Sequence, residues 1–412
     1  MKAEILSVGT EILLGDIVNT NAEYLSKRLA DLGIFVYYQT VVGDNPDRMK
    51  EAYELAFSRA DLVLTTGGLG PTQDDLTKEI AAEYFNKKLV LDQVSLNRIK
   101  ERFANLNREM GKSNIKQAEM PEACIILENN NGTAPGCIIE ENNKVMVLMP
   151  GPPKEMKAMF EESVVPYLEK FVEGKLVSKV IRFAGIGESA MAEKLGDIIT
   201  GGVNPTVAPY AKEFECIVRV TAKGKDEAEA KALIIPVEEE IRNRMGNYVY
   251  GTGEATLDLV VAAELVKRNL TIATAESCTG GLLAGTIINY PSISAAFLEG
   301  AVTYTNEAKV KRLGVKEATL EKFGAVSFET AGEMAKGIAE AAGTDIGIST
   351  TGIAGPGGGT DEKPVGLVYL GLSIKGKVKT KELRLNGNRD SVRRRAVREA
   401  LNWLRLELLE IK

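Results

Sequence analysis

The sequence contains no histidine among its 412 residues. Without imidazole the chain cannot form a Ser-His-Asp triad, use a histidine as general acid or base, or bind a metal through histidine. A nucleophilic serine would therefore need lysine as its base. The stretch TIATAESCTGGLLAGTIINYPSISAAFLEGAVTYTNEAK at 271–309 offers this combination, because it holds Ser277, Ser294 and Lys309.

Cysteine and long apolar runs are also scarce. The four cysteines, Cys124, Cys137, Cys216 and Cys278, are far apart and lack Cys-X-X-Cys spacing, which argues against a disulfide framework and a zinc site. No apolar run approaches the roughly 20 residues of a membrane-spanning helix, and the opening MKAEILSVG is too short for a secretory signal. We expect a cytoplasmic protein with reduced thiols and no membrane contact.

The charge balance is acidic, with a net charge of −6. An acidic chain has no general attraction for a phosphate backbone, and the only dense basic run is 389–398, so we expect no nucleic-acid partner. The length exceeds what one hydrophobic core usually organises, which predicts two or three domains.

The first part of the chain alternates between predicted strands and helices. Apolar runs at 3–8, 36–44 and 61–68 predict strands. Asn19 or Asn21 can cap one intervening helix, and Asn45 followed by a proline can start the next. This order is typical of a parallel α/β sheet, whose ligands bind beyond the carboxyl ends of the strands.

Two loops lie at that predicted edge, GTEILLG at 9–15 and TTGGLGPTQDDLTKE at 65–79. The second contains three glycines whose backbone amides could approach an anion and two aspartates that could hold a cation: Gly67, Gly68, Gly70, Asp74 and Asp75. The same pattern also fits a plain strand-to-helix turn with an acidic first helical turn.

Several motifs resemble the CinA (competence-damage-inducible) family along essentially the whole chain. AESCTGG at 275–281, YTNEAK at 304–309 and STTGIAGPGGG at 349–359 resemble its carboxy-terminal domain, whose stand-alone members hydrolyse nicotinamide mononucleotide. The loop at 65–79, NGTAPG at 131–136 and MPGPPKEM at 149–156 resemble its amino-terminal domain, which shares the molybdopterin-binding fold of MogA and MoaB.

The resemblance implies an α/β chain of three domains. It implies a MoaB/MogA-like parallel-sheet domain at 1–172, a small α+β KH-type module at 176–251, and an α/β amidohydrolase domain at 255–412. KH domains hold RNA with a GXXG loop, and this loop is missing from the module. We therefore expect the module to act as a spacer or dimer contact rather than to bind RNA. The family also implies a homodimer.

For the carboxy-terminal domain, the resemblance implies a cofactor-free hydrolysis of the carboxamide to nicotinate mononucleotide and ammonia. It implies Ser294 as nucleophile and Lys309 as base, and a lysine in this role must be buried to lose its proton near neutral pH. Ser277 is the alternative nucleophile, or it helps Tyr304 orient the carboxamide. Ser277 could instead cap a helix starting at Thr279.

The substrate phosphate has two predicted seats. The predicted contacts are Thr279, Gly280 and Gly281 in one turn, Thr351, Gly352, Ala354 and Gly355 in the other, and a bidentate partner in Arg389 or Arg393. Cys278 is a competing nucleophile, since a helix start can lower a thiol pKa.

For the amino-terminal domain, the resemblance implies metal-dependent cleavage of ADP-ribose to AMP and ribose 5-phosphate. We expect Mg²⁺ or a similar ion at Asp75, with Asp74 and Glu11, and the phosphates near Lys78 or Lys116. Two other functions remain open: a binding or scaffold protein in DNA uptake, and a pterin-handling protein, with one or both sites inactive.

Overall fold

The computed structural model describes residues 1–171, 174–212 and 214–411. Its contacts divide the chain into two compact units. The first consists of Met1–Val177 and Lys223–Lys231, and the second of Ser178–Ala222 and Ala232–Lys412. The predicted mixture of α/β sheets is confirmed.

The first part of the chain forms a mostly parallel sheet. Its strands are β1 (Lys2–Val8), β2 (Phe35–Val42), β3 (Leu62–Thr66), β4 (Leu89–Leu91), β5 (Glu119–Pro121), β6 (Ile125–Leu127), β7 (Gly136–Glu141) and β8 (Lys144–Met149). Six strands run in the order β2-β1-β3-β8-β7-β6, and β4 pairs with β5. The first four strands of the sheet are parallel, and β7 and β6 are antiparallel additions.

Helices cover both faces of this sheet. They are α1 (Thr10–Leu14), α2 (Thr20–Asp31), α3 (Pro46–Arg59), α4 (Thr77–Tyr84), α5 (Gln93–Asn105), α6 (Pro153–Met159) and α7 (Val165–Leu168), with 3₁₀ turns at Lys112–Ala118 and Glu169–Phe171 and a π turn at Phe160–Val164. Asn19 caps α2 and Asn45 caps α3, as the sequence predicted. Along β1, Ile5 belongs to the core on one face and Leu6 to the core on the other, so both faces are buried.

Two further sheets follow. Their strands are β9 (Lys175–Phe183), β10 (Thr206–Lys212), β11 (Glu215–Gly224), β12 (Val249–Thr252), β13 (Ile272–Glu276), β14 (Phe297–Val302), β15 (Ile346–Gly352), β16 (Leu367–Ile374) and β17 (Lys377–Arg384). The four-stranded sheet has the order β10-β11-β9-β12, and the five-stranded sheet has the order β14-β13-β15-β16-β17.

The helices of this part are α8 (Glu188–Gly201), α9 (Glu227–Met245), α10 (Leu257–Lys267), α11 (Leu282–Ile287), α12 (Asn306–Leu313), α13 (Glu317–Phe323), α14 (Phe328–Ala342) and α15 (Arg389–Glu410), with 3₁₀ turns at Gly246–Tyr248 and Ile293–Ala295. The apolar stripe predicted for the last helix is buried in the core. The helix expected to start at Thr279 starts at Leu282 instead, because Gly280 and Gly281 take left-handed φ angles of 61° and 92°.

Three parallel strands of the five-stranded sheet end together. In the register, Glu276 at the end of β13 lies opposite Val302 of β14 and Thr350 of β15. The residues that follow these strand ends therefore meet at one edge of the sheet. Within the described residues, no helix is both long and apolar enough to cross a membrane.

Candidate functional site

Lys309 is buried at the carboxyl edge of the five-stranded sheet. The side chain is 1% exposed, although it lies on a short helix, α12, whose other face meets solvent. Its Nζ lies 3.3 Å from Ser277 Oγ and donates to the carbonyl oxygens of Thr303 at 3.0 Å and Tyr304 at 3.3 Å. The structure therefore joins a serine hydroxyl to a desolvated lysine amine, and the predicted burial of Lys309 is confirmed.

Burial lowers the pKa of Lys309 below its usual value, because an ammonium loses its hydration inside the protein. Its hydrogen-bond acceptors are a hydroxyl and two carbonyls, and among the described residues it forms no salt bridge. Because no carboxylate among the described residues pairs with the ammonium, Lys309 can lose its proton at a lower pH than an ordinary lysine does. A neutral amine can accept the proton of the Ser277 hydroxyl.

Ser277 occupies the turn directly after β13. Its backbone amide donates to Thr350 O at 2.9 Å, which extends the strand pairing by one residue and fixes the position of the side chain. In the described part of the chain the amides of the next two residues, Cys278 and Thr279, have no backbone acceptor, and the Cys278 amide contacts the thiol of its own residue. Free amides beside a nucleophile are the groups from which oxyanion holes are built.

Ser294 lies far from Lys309 in the fold. It is exposed in the 3₁₀ turn Ile293–Ala295, which precedes the amino end of β14, whereas Lys309 contacts Thr303 just beyond the carboxyl end of that strand. A six-residue strand separates the two positions by about 20 Å. The predicted Ser294–Lys309 pair is therefore wrong in this structure, and the serine paired with Lys309 is the alternative, Ser277.

A buried carboxylate holds the turn that carries Ser277. Glu276 is 1% exposed, and its oxygens accept hydrogen bonds from the amides of Gly281 at 3.0 Å, Leu283 at 3.0 Å and Ala284 at 2.8 Å, and from the Thr279 hydroxyl at 2.6 Å. These amides form the amino end of α11, where a negative charge is favoured. Glu276 therefore fixes the turn that follows Ser277.

The first predicted phosphate seat is already filled by the protein. Glu276 accepts from the Gly281 amide, the Gly280 amide donates to Ser277 O, and the Thr279 hydroxyl is fully buried. Arg393 donates to the carbonyls of Cys278 at 3.2 Å and Thr279 at 2.8 Å, so it braces the turn. The expected phosphate contact at Thr279, Gly280 and Gly281, with Arg393 as partner, is thus not supported by the geometry.

The second predicted phosphate site, at 351–355, includes backbone amides that are not hydrogen-bonded to another part of the described backbone. Two of its groups are already hydrogen-bonded within the protein. The buried Thr351 hydroxyl donates to Ala325 O at 2.6 Å, and the backbone of Gly352 pairs with β16. The amides of Ala354 and Gly355, however, have no acceptor within the residues described. Arg389 is exposed and donates to Gly355 O at 2.8 Å and to the Tyr304 hydroxyl at 3.3 Å. An exposed guanidinium therefore lies next to a loop with two backbone amides that have no backbone acceptor among the described residues.

Cys278 is unsuited to nucleophilic attack. Its side chain is buried, and burial raises the pKa of its thiol to about 12. A thiol with this pKa carries almost no thiolate at neutral pH. The competing hypothesis of a cysteine nucleophile is therefore disfavoured.

A second candidate site is a cavity of about 580 Å³ at the carboxyl edge of the amino-terminal sheet. Most of the predicted residues line it: Glu11, Gly67, Gly68, Gly70, Asp74 and Asp75. The sequence interpretation missed Asn21, whose Nδ2 donates to Thr66 Oγ1 at 2.9 Å and to Gly151 O at 2.7 Å. Its Oδ1 is buried without a partner in the described structure. This cavity has the size of a small-molecule site.

The two predicted phosphate lysines do not line this cavity. Lys78 is 3% exposed, and its Nζ donates to the carbonyls of Lys116 at 3.1 Å, Gln117 at 2.8 Å and Glu119 at 2.9 Å. Lys116 donates to the carbonyls of Thr72 and Asp75 and pairs with Glu79 at 3.3 Å. Both lysines hold the loop together, so their expected contact with phosphate is not supported.

The carboxylates of the cavity are spread out. Glu11 and Asp74 are exposed, and Asp75 accepts from the Thr72 amide at 3.0 Å. In the part of the chain that is described, no three acidic or cysteine side chains are grouped to hold a metal ion. Mg²⁺ is commonly bound by one or two carboxylates together with substrate phosphates. The donor set fits a magnesium ion of that kind, but it does not form a cage made of protein alone.

Comparison with known proteins decides the family. A relative from Clostridium novyi, named as a competence-damage inducible protein, is 64% identical over 409 residues that span 99% of both chains. The CinA-like protein of Kosmotoga olearia is 58% identical over 411 residues and is covered completely. The chain belongs to the CinA family.

Three domain families of CinA proteins match successive parts of the chain. They are the molybdopterin binding domain at 4–170, the CinA KH domain at 178–251 and the CinA C-terminal domain at 254–408. A crystal structure of a CinA superfamily protein from Klebsiella pneumoniae is 38% identical, covering 37% of this chain and 96% of that one with a TM-score of 0.37.

Glu276 is the functional residue that sequence reasoning missed in this CinA chain. The acid stands in AESCTGG directly before the serine, after four β-branched or small residues of a buried strand. An acidic residue at the last position of a fully buried strand is unusual, because a carboxylate is rarely buried without partners. The position of Glu276 at the end of this apolar segment was the feature of the sequence that could have identified it.

Replacing Glu276 by glutamine should destabilise the turn. The amide oxygen can replace one carboxylate oxygen, but the amide nitrogen must then face backbone N–H donors. We expect the free energy of unfolding to fall by about 2 kcal/mol, measured by urea denaturation. Glu299→Gln, on the neighbouring strand β14, is the control: it loses only a partly exposed ion pair with Arg312 and should destabilise the fold less. Equal stability of Glu276→Gln and wild type would contradict the assigned role.

Proposed function

We propose that the carboxy-terminal domain hydrolyses the carboxamide of nicotinamide mononucleotide to nicotinate mononucleotide and ammonia. The observation that carries the proposal is the contact between the buried Lys309 amine and Ser277 Oγ at 3.3 Å. In a chain without histidine, this pair combines a nucleophile with a base. The family membership is consistent with this activity, which belongs to stand-alone relatives of the domain.

The first half of the reaction forms an ester. Neutral Lys309 accepts the Ser277 proton as Oγ attacks the carboxamide carbon, and the resulting oxyanion receives hydrogen bonds from the Cys278 and Thr279 amides. The C–N bond then breaks as Lys309 returns the proton to the leaving nitrogen, which departs as ammonia. The products of this half-reaction are ammonia and a nicotinoyl ester on Ser277.

The second half of the reaction releases the acid. Lys309 takes a proton from water, and the hydroxide formed attacks the ester carbon. As the ester C–O bond breaks, the proton passes from Lys309 to Ser277 Oγ. This sequence restores the neutral amine and the free hydroxyl, and its net reaction consumes one water for each ammonia released.

The rim beside this pair supplies the contacts for the nucleotide. The Tyr304 ring is 59% exposed and can lie against the cationic pyridinium. Arg389, with the amides of Ala354 and Gly355, can bind the 5′-phosphate. The distinguishing experiment is an ammonia assay on the full chain with nicotinamide mononucleotide and with free nicotinamide, which lacks the phosphate. Similar rates with both substrates would contradict the proposed phosphate seat.

We further propose that the amino-terminal cavity cleaves ADP-ribose to AMP and ribose 5-phosphate. The observation that favours it is the cavity of about 580 Å³, in which a glycine turn, Asp74 and Asp75 face one space. Those aspartates, with Glu11, would hold the divalent cation, which when bound neutralises charge on the diphosphate. Asn21 would orient the substrate through its unpartnered Oδ1. A pterin-handling role would instead appear as turnover of a molybdopterin nucleotide and not of ADP-ribose.

Replacing Asp75 by alanine should abolish the second activity. The change removes one cation ligand and the acceptor of the Thr72 amide, so we expect AMP release from ADP-ribose to fall by about two orders of magnitude. EDTA should have the same effect. Asp47→Ala, an exposed acid at the start of α3, is the control. The metal-site assignment would be wrong if Asp74→Ala and Asp75→Ala both kept wild-type rates.

A further inference from the structure

Another cavity lies within the second unit, on the side of α15 that faces the KH-type module. It has a volume of about 680 Å³, which is the size of a small-molecule site. Its walls come from the turn after β9 (Gly185 to Gly187), from the ring of Tyr248, and from Arg398, Asn402 and Arg405 of α15. None of these residues belongs to the two sites described above.

A buried cation without a counter-ion lines the cavity. Arg405 is 7% exposed, and its guanidinium donates to Asn402 Oδ1 at 2.9 Å and to the carbonyls of Asn247 at 2.6 Å and Val249 at 3.4 Å. All of these acceptors are neutral, and within the described residues Arg405 forms no salt bridge. A buried charge is normally paired, so Arg405 leaves a positive charge at the cavity wall that an anion would compensate.

Asn402 adds an unpartnered donor. Its side chain is 5% exposed, and its Oδ1 is fixed by two hydrogen bonds from Arg405. This leaves the Nδ2 group pointing away from Arg405, with no acceptor in the described part of the chain. A Cβ at Gly185 would lie 2.9 Å from this nitrogen, and Gly185 has a φ of +77°, so the turn passes close to the amide only as glycine.

The turn itself presents further donors. It leads from β9 into the 14-residue helix α8, whose N-cap is Gly187 and whose first turn has no side-chain cap. The amides of Ile186, Glu188 and Ser189 have no acceptor among the described residues. Unsatisfied amides at a helix start carry partial positive charge and favour a phosphate or carboxylate.

The acidic groups on the wall are already paired. Glu399 accepts from Lys381 Nζ at 3.2 Å, and Glu410 lies 3.9 Å from Lys379 Nζ. Arg398 reaches Glu215 only at 3.5 Å and retains guanidinium hydrogens for another acceptor. The cavity therefore offers more positive than negative charge to a ligand, together with the rings of Phe214 and Tyr248 at its wall.

We propose that this cavity binds a mononucleotide, with the phosphoryl group between the Gly185–Ser189 turn and Arg398, Asn402 and Arg405. A phosphoryl group matches the combination of guanidinium, amide and helix-start donors. An aromatic base can stack on Tyr248 or Phe214, and the volume exceeds what inorganic phosphate alone would fill. The site is separate from the Ser277 and Asp75 sites and does not depend on either activity.

The test is hydrogen–deuterium exchange of the full-length protein with AMP, inorganic phosphate, adenosine and a short single-stranded RNA as separate probes. The backbone peptide 184–191 reports this cavity alone, since the other two sites lie elsewhere in the sequence. AMP should slow exchange of this peptide strongly, phosphate should slow it at higher concentration, and adenosine should leave it unchanged.

Three variants make the result specific. Arg398→Gln and Asn402→Ala should weaken AMP-dependent protection by about tenfold or more, because each loses a donor to the phosphoryl group. Arg394→Gln removes the same charge from an exposed position of α15, whose side chain is 58% exposed, and should match wild type. Unchanged exchange at saturating AMP, equal protection in all three variants, or protection by RNA but not by AMP would each overturn the proposal.

Discussion

Replacing Ser277 by alanine is expected to lower ammonia release from nicotinamide mononucleotide by about a thousandfold or more, since loss of a nucleophile removes the covalent route. The same change at Ser294 should leave the rate near wild type. Ser277 Oγ lies 3.3 Å from Lys309 Nζ, whereas Ser294 is exposed at the opposite edge of the sheet. The two serines therefore form a matched pair of variants in one assay.

This comparison distinguishes the two nucleophiles directly. Circular dichroism and thermal unfolding should be close to wild type for both variants, because neither hydroxyl supports a large part of the core. A Ser277→Ala protein that keeps its activity while Ser294→Ala loses it would restore the pairing first expected from the sequence. Trapping a nicotinoyl ester on the peptide that contains Ser277 would provide the positive counterpart.

Replacing Lys309 by methionine should abolish ammonia release and yet stabilise the fold. Methionine keeps the length of the side chain, so packing is retained, while the base is lost and the rate falls by about a thousandfold or more. Burial of the Lys309 amine opposes its charged form. An apolar side chain at this position removes that cost, and a higher free energy of unfolding near neutral pH should appear in urea denaturation.

The stabilisation should depend on pH in one direction. The folded-state pKa of Lys309 is lowered, so between that pKa and the ordinary lysine value the unfolded chain binds more protons than the folded one. Wild-type stability therefore rises with pH across this window, and the advantage of Lys309→Met shrinks. Lys311→Met, an exposed position of α12, should show neither effect. A destabilised Lys309→Met protein would indicate that the charged amine supports the fold.

Local elements were largely predictable from the sequence because their signals are local. Asn45 and Pro46 start α3 as expected, and the apolar residues of α15, such as Val392 and Leu404, face the core. The glycine loop at 65–79 was expected at the carboxyl edge of the sheet, since strand ends and glycine turns are visible in the sequence, and residues of this loop line the cavity there. These features depend on neighbouring residues only.

Which serine contacts Lys309 was not predictable in the same way. Ser294 is nearer than Ser277 to Lys309 along the chain, but β14 lies between Ser294 and Lys309 and separates them by its length. Ser277 meets Lys309 because β13 and β14 are adjacent and parallel, so residues after both strands share an edge. Strand order is a tertiary property, and the sequence pattern alone does not specify it.

Long cationic side chains misled the sequence interpretation for a related reason. Lys78 and Arg393 were among the candidates for phosphate binding, but Lys78 donates to three backbone carbonyls and Arg393 to two. Glu276 shows the converse, since its carboxylate occupies the position at the start of α11 where an external anion could otherwise bind. Such assignments depend on the local supply of unpaired backbone groups, which only the folded chain reveals.

In the proposed mechanism, a desolvated, neutral Lys309 amine activates Ser277. The most direct test compares two quantities in the full-length protein, the pKa of Lys309 and the pH dependence of kcat/KM. The pKa is measured by NMR of labelled lysine side-chain carbons, and the Lys309 signal is assigned as the one missing from Lys309→Met. We expect a Lys309 pKa below the ordinary lysine value, because the amine is desolvated, and a kcat/KM that rises with pH through the same value. An ordinary lysine pKa, or a kcat/KM that does not change as Lys309 titrates, would contradict it.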